Sequence, residues 1–407
     1  MAKQSRRAYP VIDIGTKKTV VLVVVEQGEE IKIYENSCEN SGLLKGSIVT
    51  NAAALEKCVI SALSAVELKA GFRLRRIHVT MSGGDVRGRV IEGKSALCAA
   101  DKGLQDSDVK IATDNMLRQH LPAGSSALSL FELPFLLDDK EVPQGILTKK
   151  TYFGKTLTVQ KLQILASKKH VDAWGKILLQ HNTAPGGWFA AGIASGLAMS
   201  SGEPGLRDRG LLVIDIGAGT SDYVLYHKGI IRELGVLPVG GDHVTADLME
   251  GLHLDRQTAE ELKVKHASAI VREEKLGVRL WTRGDKSVGD REVYQRSIDQ
   301  ITHARMEELF QCIQKRLAPF LKPELVRAGV VLTGGTSRLL NVEKLAVSVL
   351  RLSVRRATYP SWVPQQFCSP QYSTALGMVE LLRTQPLLFQ RNAGKESIWK
   401  RIWRSLS

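Results

Sequence analysis

The chain has little of what marks a secreted, metal-stapled or membrane-spanning protein. Its 407 residues hold five cysteines: Cys38, Cys58, Cys98, Cys312 and Cys368. No two have the CxxC spacing of zinc ribbons or thioredoxin-like sites. An odd, scattered set fits reduced and mostly buried thiols in a cytosol. No apolar run approaches the ~18 residues of a membrane span, and the run from Val20 to Val25 reads as a buried strand. Met1 to Pro10 is polar and basic without an apolar segment, so no signal peptide is expected. GxxxxGK[ST] is absent, which excludes a Walker phosphate loop. Aromatic residues are 6 % of the chain and form no stacking platform with basic ones. Nucleic acid is therefore not expected as a partner. The net charge of +14 still favours something anionic, and nucleotide and anionic lipid both qualify.

What the chain does have is a repeat. Val-Ile-Asp-Ile-Gly stands at 11–15 and again at 213–217, about half the chain apart. Each copy reads as a strand ending in a glycine turn with an aspartate at its tip. Self-similarity at this spacing predicts two related halves. A chain of this length with 43 % hydrophobic residues should build two to four subdomains. Alternating strands and helices give an α/β class.

Strands are predicted at Tyr9–Ile14, Thr19–Glu26, Glu30–Tyr34 and Arg76–Ser82, with a helix at Ala52–Glu67 between them. Residues 84–160 have no counterpart in the second half and read as an inserted small subdomain. It holds a helix at Asp106–Gln119 and strands at Leu128–Leu136 and Thr156–Leu165. Helices follow at Lys169–Gln180 and Gly192–Met199. The second half carries helices at Ala246–Leu252, Ala259–Lys265, Gln295–Arg316, Val342–Leu350 and Ser373–Arg383, and a strand entering a turn at Val330–Gly335. Residues 272–296, rich in both charges, read as an exposed excursion.

Three glycine turns carry the chemistry. The first is Asp13-Ile-Gly15-Thr16-Lys-Lys18. Glycine lets backbone N–H groups approach an anion because no Cβ intervenes; Thr16 adds a hydroxyl and Lys18 a charge. The second, Asp215-Ile-Gly217-Ala218-Gly219-Thr220, runs on to Asp222 and is another anion cradle. The third, Leu332-Thr-Gly334-Gly335-Thr336-Ser337, suits approach to a nucleotide's sugar or base. Two aspartates beside phosphates suit Mg²⁺ held through water, with Asp13 and Asp215 as the candidates.

In this order the turns resemble those of the actin/Hsp70/sugar-kinase ATPase superfamily. Within it the chain is most similar to the bacterial cell-division FtsA family. That resemblance rests on "VIDIGTKKTVVLV", "SGLLKGSIVT", "LPVGGDHVTADL" (237–248), "ELKVKHASA" (261–269), "GVVLTGGTSRL" (329–339) and "YSTALGMVELL" (372–382). It implies an actin-like (ribonuclease H-like) duplicated fold with ATP and Mg²⁺ between the halves. The first half would be 1–83, 161–209 and 371–384, interrupted by the FtsA-type subdomain at 84–160. The second would be 210–241 and 311–370, with its own small subdomain at 242–310. Ala190–Ala198 and Tyr372–Val379 take the two connecting-helix positions. Glu260 and Lys263 match the helix that contacts ribose and purine. Ala218 stands where the family has glycine, and "SRLLN" after Gly335 lacks its proline–glycine. Asp172, Glu203 and Asp208, the acidic residues between 160 and 210, do not occupy a sugar-kinase base position, so ATP is expected to act as a switch with weak or absent hydrolysis.

The end of the chain points to a membrane. After a polar linker at 385–396, residues 397–407 form an amphipathic helix if wound at 100° per residue. Ile398, Trp399, Ile402, Trp403 and Leu406 share one side, and Lys400, Arg401 and Arg404 the other. That is the composition of a helix lying in a membrane interface. Each buried apolar side chain contributes at most ~1.5–3 kcal/mol and each basic residue ~1 near anionic lipid. Because so short a helix is marginal alone, one tail binds weakly and several on a polymer bind firmly. The resemblance implies self-association, the tubulin-like FtsZ docking by its C-terminal peptide near 242–310, later division proteins as further partners, and a peripheral place on the cytoplasmic face of the inner membrane at the division site. A small-molecule kinase of the same superfamily, or a PilM-type adaptor, are the alternatives.

Overall fold

The computed structural model describes residues 6–40, 42–45, 48–83, 85–98, 103–142, 152–201, 203, 205–284 and 289–384. The tail at 397–407, the linker at 385–396 and the Pro143–Gly145 segment lie outside the described residues. Two compact units result, one of 1–84 with 176–383 and one of 85–175.

The larger unit contains the same sheet twice. In its first half β1 (Arg7–Ile14), β2 (Lys18–Gln27) and β3 (Glu30–Glu39) form an antiparallel meander. The small β4 (Leu44–Lys45) and β5 (Ile48–Val49) lead to α1 (Ala52–Ala70), which the Asn51 side chain caps by accepting the Ala54 N–H. Helix α1 buries Leu55, Val59, Ala62, Leu63 and Val66, the face predicted from its spacing. Strand β6 (Arg76–Met81) then pairs parallel with β1. Val20 to Val25 is wholly buried along β2.

The smaller unit follows. Its elements are β7 (Arg87–Ala96), α2 (Asp106–Leu117), β8 (Ser125–Glu132), β9 (Phe135–Leu137), β10 (Lys140–Val142), β11 (Thr156–Ser167) and the start of α3 (Lys168–Gln180). The predicted strand Leu128–Leu136 is two strands, parted at Pro134, which has no N–H to give a ladder. Strand β11 pairs with β7 from Thr156 to Leu165, so the expected boundary at 160 falls inside a strand and the unit runs on to Gly175. Strand β7 carried a weak sequence signal because its buried face, Ile91, Gly93 and Ser95, holds a single large apolar residue. A Cβ on Gly93 would stand 2.0 Å from the Ala112 carbonyl of α2.

Back in the larger unit, β12 (Ala184–Ala190) completes the first sheet in the order β12-β6-β1-β2-β3. Helices α4 (Ala191–Ser201) and α5 (Leu206–Arg209) lead to β13 (Leu211–Ile216), β14 (Ser221–His227) and β15 (Ile230–Leu237). Helices α6 (Gly241–Leu252) and α7 (Arg256–His266), the hairpin β16 (Arg279–Thr282) and β17 (Arg291–Tyr294), and α8 (Gln295–Leu317) come next. Strand β18 (Val330–Thr333), α9 (Val342–Leu350), β19 (Val354–Arg356) and α10 (Ser373–Thr384) end the described chain. The second sheet runs β15-β14-β13-β18-β19. Strand for strand this is the first sheet again, with a meander of three and two parallel additions.

Two expectations need correction. None of the five cysteines is buried; Cys98 and Cys312 are exposed and the others half-buried. Nor is the 272–296 excursion wholly solvated. Arg272 forks onto Asp299, which is 0 % exposed, through two bonds of 2.9 Å. This desolvated, bidentate pair anchors the base of the hairpin, whose outer face shows Trp281 at 73 % exposure.

Candidate functional site

The duplicated pentapeptide places two aspartates in equivalent positions. Asp13 pairs with Thr80 between parallel strands β1 and β6, and Asp215 pairs with Thr333 between β13 and β18. Each strand then closes a four-residue turn with the same bond: the Gly15 N–H donates to the Lys18 carbonyl at 3.1 Å, and the Gly217 N–H to the Thr220 carbonyl at 2.9 Å. A Cβ on either glycine would crowd that carbonyl, at 2.9 and 3.0 Å. Local sequence thus dictates two tight turns of one design.

These turns face each other. A Cβ on Gly219 would lie 2.7 Å from Thr16 Oγ1. The Thr220 hydroxyl is 3.0 Å from Ser82 Oγ, at the end of β6. The third turn joins the second, since Thr336 Oγ1 donates to the Gly217 carbonyl at 2.8 Å. Gly334, at φ +82°, could carry no side chain: a Cβ would stand 2.3 Å from Asp215 Oδ1. Around Gly335, by contrast, a Cβ would meet nothing within 4 Å. Ala218 uses its carbonyl to accept the Asp242 N–H at 2.8 Å, tying the second turn to the start of α6.

Burial dominates the electrostatics. Asp13 is pushed up to about 7, first by loss of water and further by the charge of Asp215; Thr80 Oγ1, donating at 2.7 Å, and Lys18 oppose this. Asp215 is pushed up to about 6 by burial, against a bond from Thr374 Oγ1 at 3.1 Å. A third carboxylate shares the site. Asp222, opposite Asp215 in the β13–β14 register, is raised well above the usual range by burial and by both other aspartates. It accepts from Ser82 Oγ at 2.5 Å and from the Gly192 N–H at the start of α4. Sequence reasoning gave Asp222 no role, although a four-residue hairpin turn puts it directly across from Asp215. Three desolvated carboxyls that repel one another are what a cation would relieve. Among the described residues no three acidic, histidine or cysteine groups are close enough to ligate a metal ion directly.

Lys18 turns inward, its ammonium 4.9 Å from the Tyr372 ring and lowered by burial. Asn40 fixes the first turn from behind, donating Nδ2 to the Gly15 carbonyl at 2.8 Å and its backbone N–H to the Lys17 carbonyl at 2.7 Å. Glu260 and Lys263 lie together on α7. Lys263 Nζ donates to Glu260 Oε2 at 2.6 Å, to Thr245 Oγ1 at 2.8 Å and to the Gly241 carbonyl at 3.1 Å. Two connecting helices pack behind the turns. Helices α4 and α10 cross at Gly377, where a Cβ would stand 1.7 Å from the Ala194 carbonyl.

Of the sequence-predicted residues, Asp13, Gly15, Thr16, Lys18, Asp215, Gly217, Ala218, Gly219, Thr220, Gly334, Gly335 and Thr336 thus gather around one set of turns, with Glu260 and Lys263 flanking the third. Glu203 pairs with Arg209 at 2.6 Å, and the Asp208 carbonyl accepts the Lys228 N–H. Both therefore sit at the end of the β13–β14 hairpin remote from Asp215.

Known proteins resemble the chain in sequence and in fold. The family model described as cell division protein FtsA matches residues 212–377. The chain is 26 % identical to cell division protein FtsA of Pseudomonas aeruginosa over 383 residues, 92 % of this chain and 89 % of that one. It is 27 % identical to its Bacillus subtilis counterpart over 384 residues, 91 % and 82 % of the two chains. Among solved structures it is similar to the PilM–PilN type IV pilus biogenesis complex, with a TM-score of 0.62 at 18 % identity, covering 91 % of this chain and 97 % of that one. It is also similar to MreB5 of Spiroplasma citri bound to ADP, with a TM-score of 0.57 at 12 % identity, covering 95 % and 99 %. The fold is actin-like.

Proposed function

We infer that this chain is an FtsA-type, actin-like cell-division protein that binds ATP with Mg²⁺ between its two duplicated lobes. One observation carries the reading: three glycine turns converge on buried, mutually repelling carboxylates, in a chain whose curated relatives over nine-tenths of its length are FtsA proteins. The glycine turns fit a polyphosphate because they bring bare backbone close without a Cβ, and the space around Gly335 is open to 4 Å. Asp13, Asp215 and Asp222 fit Mg²⁺ held through its waters, which usually contacts few carboxylates. When bound, the ion would neutralise phosphate charge. The chain's own groups orient it: Thr80 and Thr374 hold two of the carboxylates, Ser82 the third.

Glu203 and Asp208 are engaged at the end of the β13–β14 hairpin remote from Asp215. On the FtsA reading ATP acts as a switch for self-association rather than as a phosphoryl donor. Residues 397–407 lay the protein on the cytoplasmic face of the inner membrane, and the acidic FtsZ tail docks near 242–310, where the excursion 272–296 carries seven basic residues against five acidic ones. The molecule is then the tether between ring and membrane, onto which later division proteins assemble.

Liposome pelleting of the full chain and of Trp403→Glu, each with and without ATP and FtsZ, tests this. Wild type should carry FtsZ to anionic vesicles, more so with ATP, and the variant should leave both in solution. If the variant pellets as well as wild type, the anchor is wrong. If ATP changes nothing, the switch is wrong.

A further inference from the structure

Lys17 and Lys18 are neighbours with opposite destinations. Lys18 turns into the site, whereas Lys17 crosses it. Lys17 Nζ donates to Glu260 Oε1 at 2.6 Å, joining the first glycine turn to α7, 243 positions away in the sequence. Glu260 is well set to receive it. Its other oxygen accepts from Lys263 Nζ and Thr245 Oγ1, both at 2.6 Å. Burial opposes charge on Glu260, yet the bonds from Lys17, Lys263 and Thr245 outweigh it and hold the carboxyl at about 2. One end of the pair is therefore rigid, and the other is a flexible chain 47 % exposed to solvent. That is the arrangement of a bond that opens and closes, with its acceptor fixed.

We propose that Lys17 is a latch residue: its ion pair with Glu260 closes the first lobe onto the second beside the third glycine turn, so that nucleotide enters and leaves only when this pair opens. The proposal rests on the nucleotide reading of the site. It makes Lys17 a positioning residue that acts through Glu260 and sets exchange kinetics more than affinity. An ion pair this exposed is weak, so its removal should speed exchange roughly two- to fivefold, and salt should mimic removal by screening.

The test uses the full chain as wild type, Lys17→Ser and Lys17→Arg. Release of a fluorescent ATP analogue is followed by stopped flow, and amide exchange of residues 15–18 and 256–266 without nucleotide by mass spectrometry. Lys17→Ser should release nucleotide faster, exchange those amides faster and lose the salt dependence seen in wild type. Lys17→Arg should behave as wild type. Equal release and equal exchange in wild type and Lys17→Ser at low salt would overturn the latch. Faster amide exchange in Lys17→Ser, with no nucleotide bound by any variant, would keep the lobe contact and sink the nucleotide reading instead.

Discussion

Replacing Asp13 by asparagine should make the nucleotide-free protein more stable, by a margin that grows as the pH rises from about 4 to 7. Burial and the charge of Asp215 push the Asp13 carboxyl from its ordinary 3.8 to about 7. Because the folded-state value is raised, its contribution to stability is intact below about pH 4 and is lost as the pH rises through 7. At about 1.4 kcal/mol per pH unit across that interval, the ionised carboxylate costs the fold about 4 kcal/mol at pH 8. At pH 5 the same reasoning gives roughly 1.5 kcal/mol. Asp13→Asn removes the charge and keeps an oxygen for Thr80 Oγ1, which donates at 2.7 Å. It also relieves Asp215 of a like charge. The gain over wild type should therefore grow by about 2–3 kcal/mol between pH 5 and pH 8. Urea unfolding at both values measures it, repeated with Mg²⁺ and ATP. Ligand should stabilise wild type by mass action and the variant far less, so the order of stability narrows or reverses. A gain that is the same at both pH values, or a loss at pH 8, would refute the reasoning.

Three further outcomes follow from the same geometry. Binding of magnesium nucleotide should release protons between pH 6 and 7, where Asp13 and Asp215 must ionise; titration calorimetry in buffers of differing protonation enthalpy should show affinity rising with pH, and equal heats in all buffers would count against it. Gly377→Ala forces a Cβ to within 1.7 Å of the Ala194 carbonyl; parting α4 from α10 should cost about 3 kcal/mol or more, read as a lower denaturation midpoint. Gly334→Ala meets both a left-handed φ of +82° and Asp215 Oδ1 at 2.3 Å; a loss of about 1–3 kcal/mol, with nucleotide binding impaired beyond it, is expected by thermal shift with and without ATP.

Much of this architecture was legible because the repeat and the helical faces are local signals. The two Val-Ile-Asp-Ile-Gly segments mark the two central strands, and α1 buries the face its spacing predicted. Strands β7 and β12 escaped for one physical reason. Each carries a glycine where something else comes close: α2 over Gly93 of β7, and the His78 ring 3.0 Å from where a Cβ on Gly186 of β12 would stand. Hydrophobic periodicity is blind to such positions. Asp222 and Lys17 escaped for another. Each stands beside a residue with an obvious role, and its own importance depends on cross-strand register or on a partner far along the chain. Glu260 and Lys263 were singled out by the family resemblance, which could not show that Lys263 would place its donors on its own lobe.

Asn40 has a consequence beyond the bonds it makes. This residue is fully buried just after β3, its side chain holding Gly15 and Thr19 while its backbone N–H holds Lys17. The first turn is thus moulded by folding, before any anion arrives, and its conformational freedom is surrendered then rather than at binding. Affinity at the cleft is set in part by a residue that never touches what binds there. Variation at the end of β3 would tune how readily the protein responds to its ligand while leaving every contacting group in place.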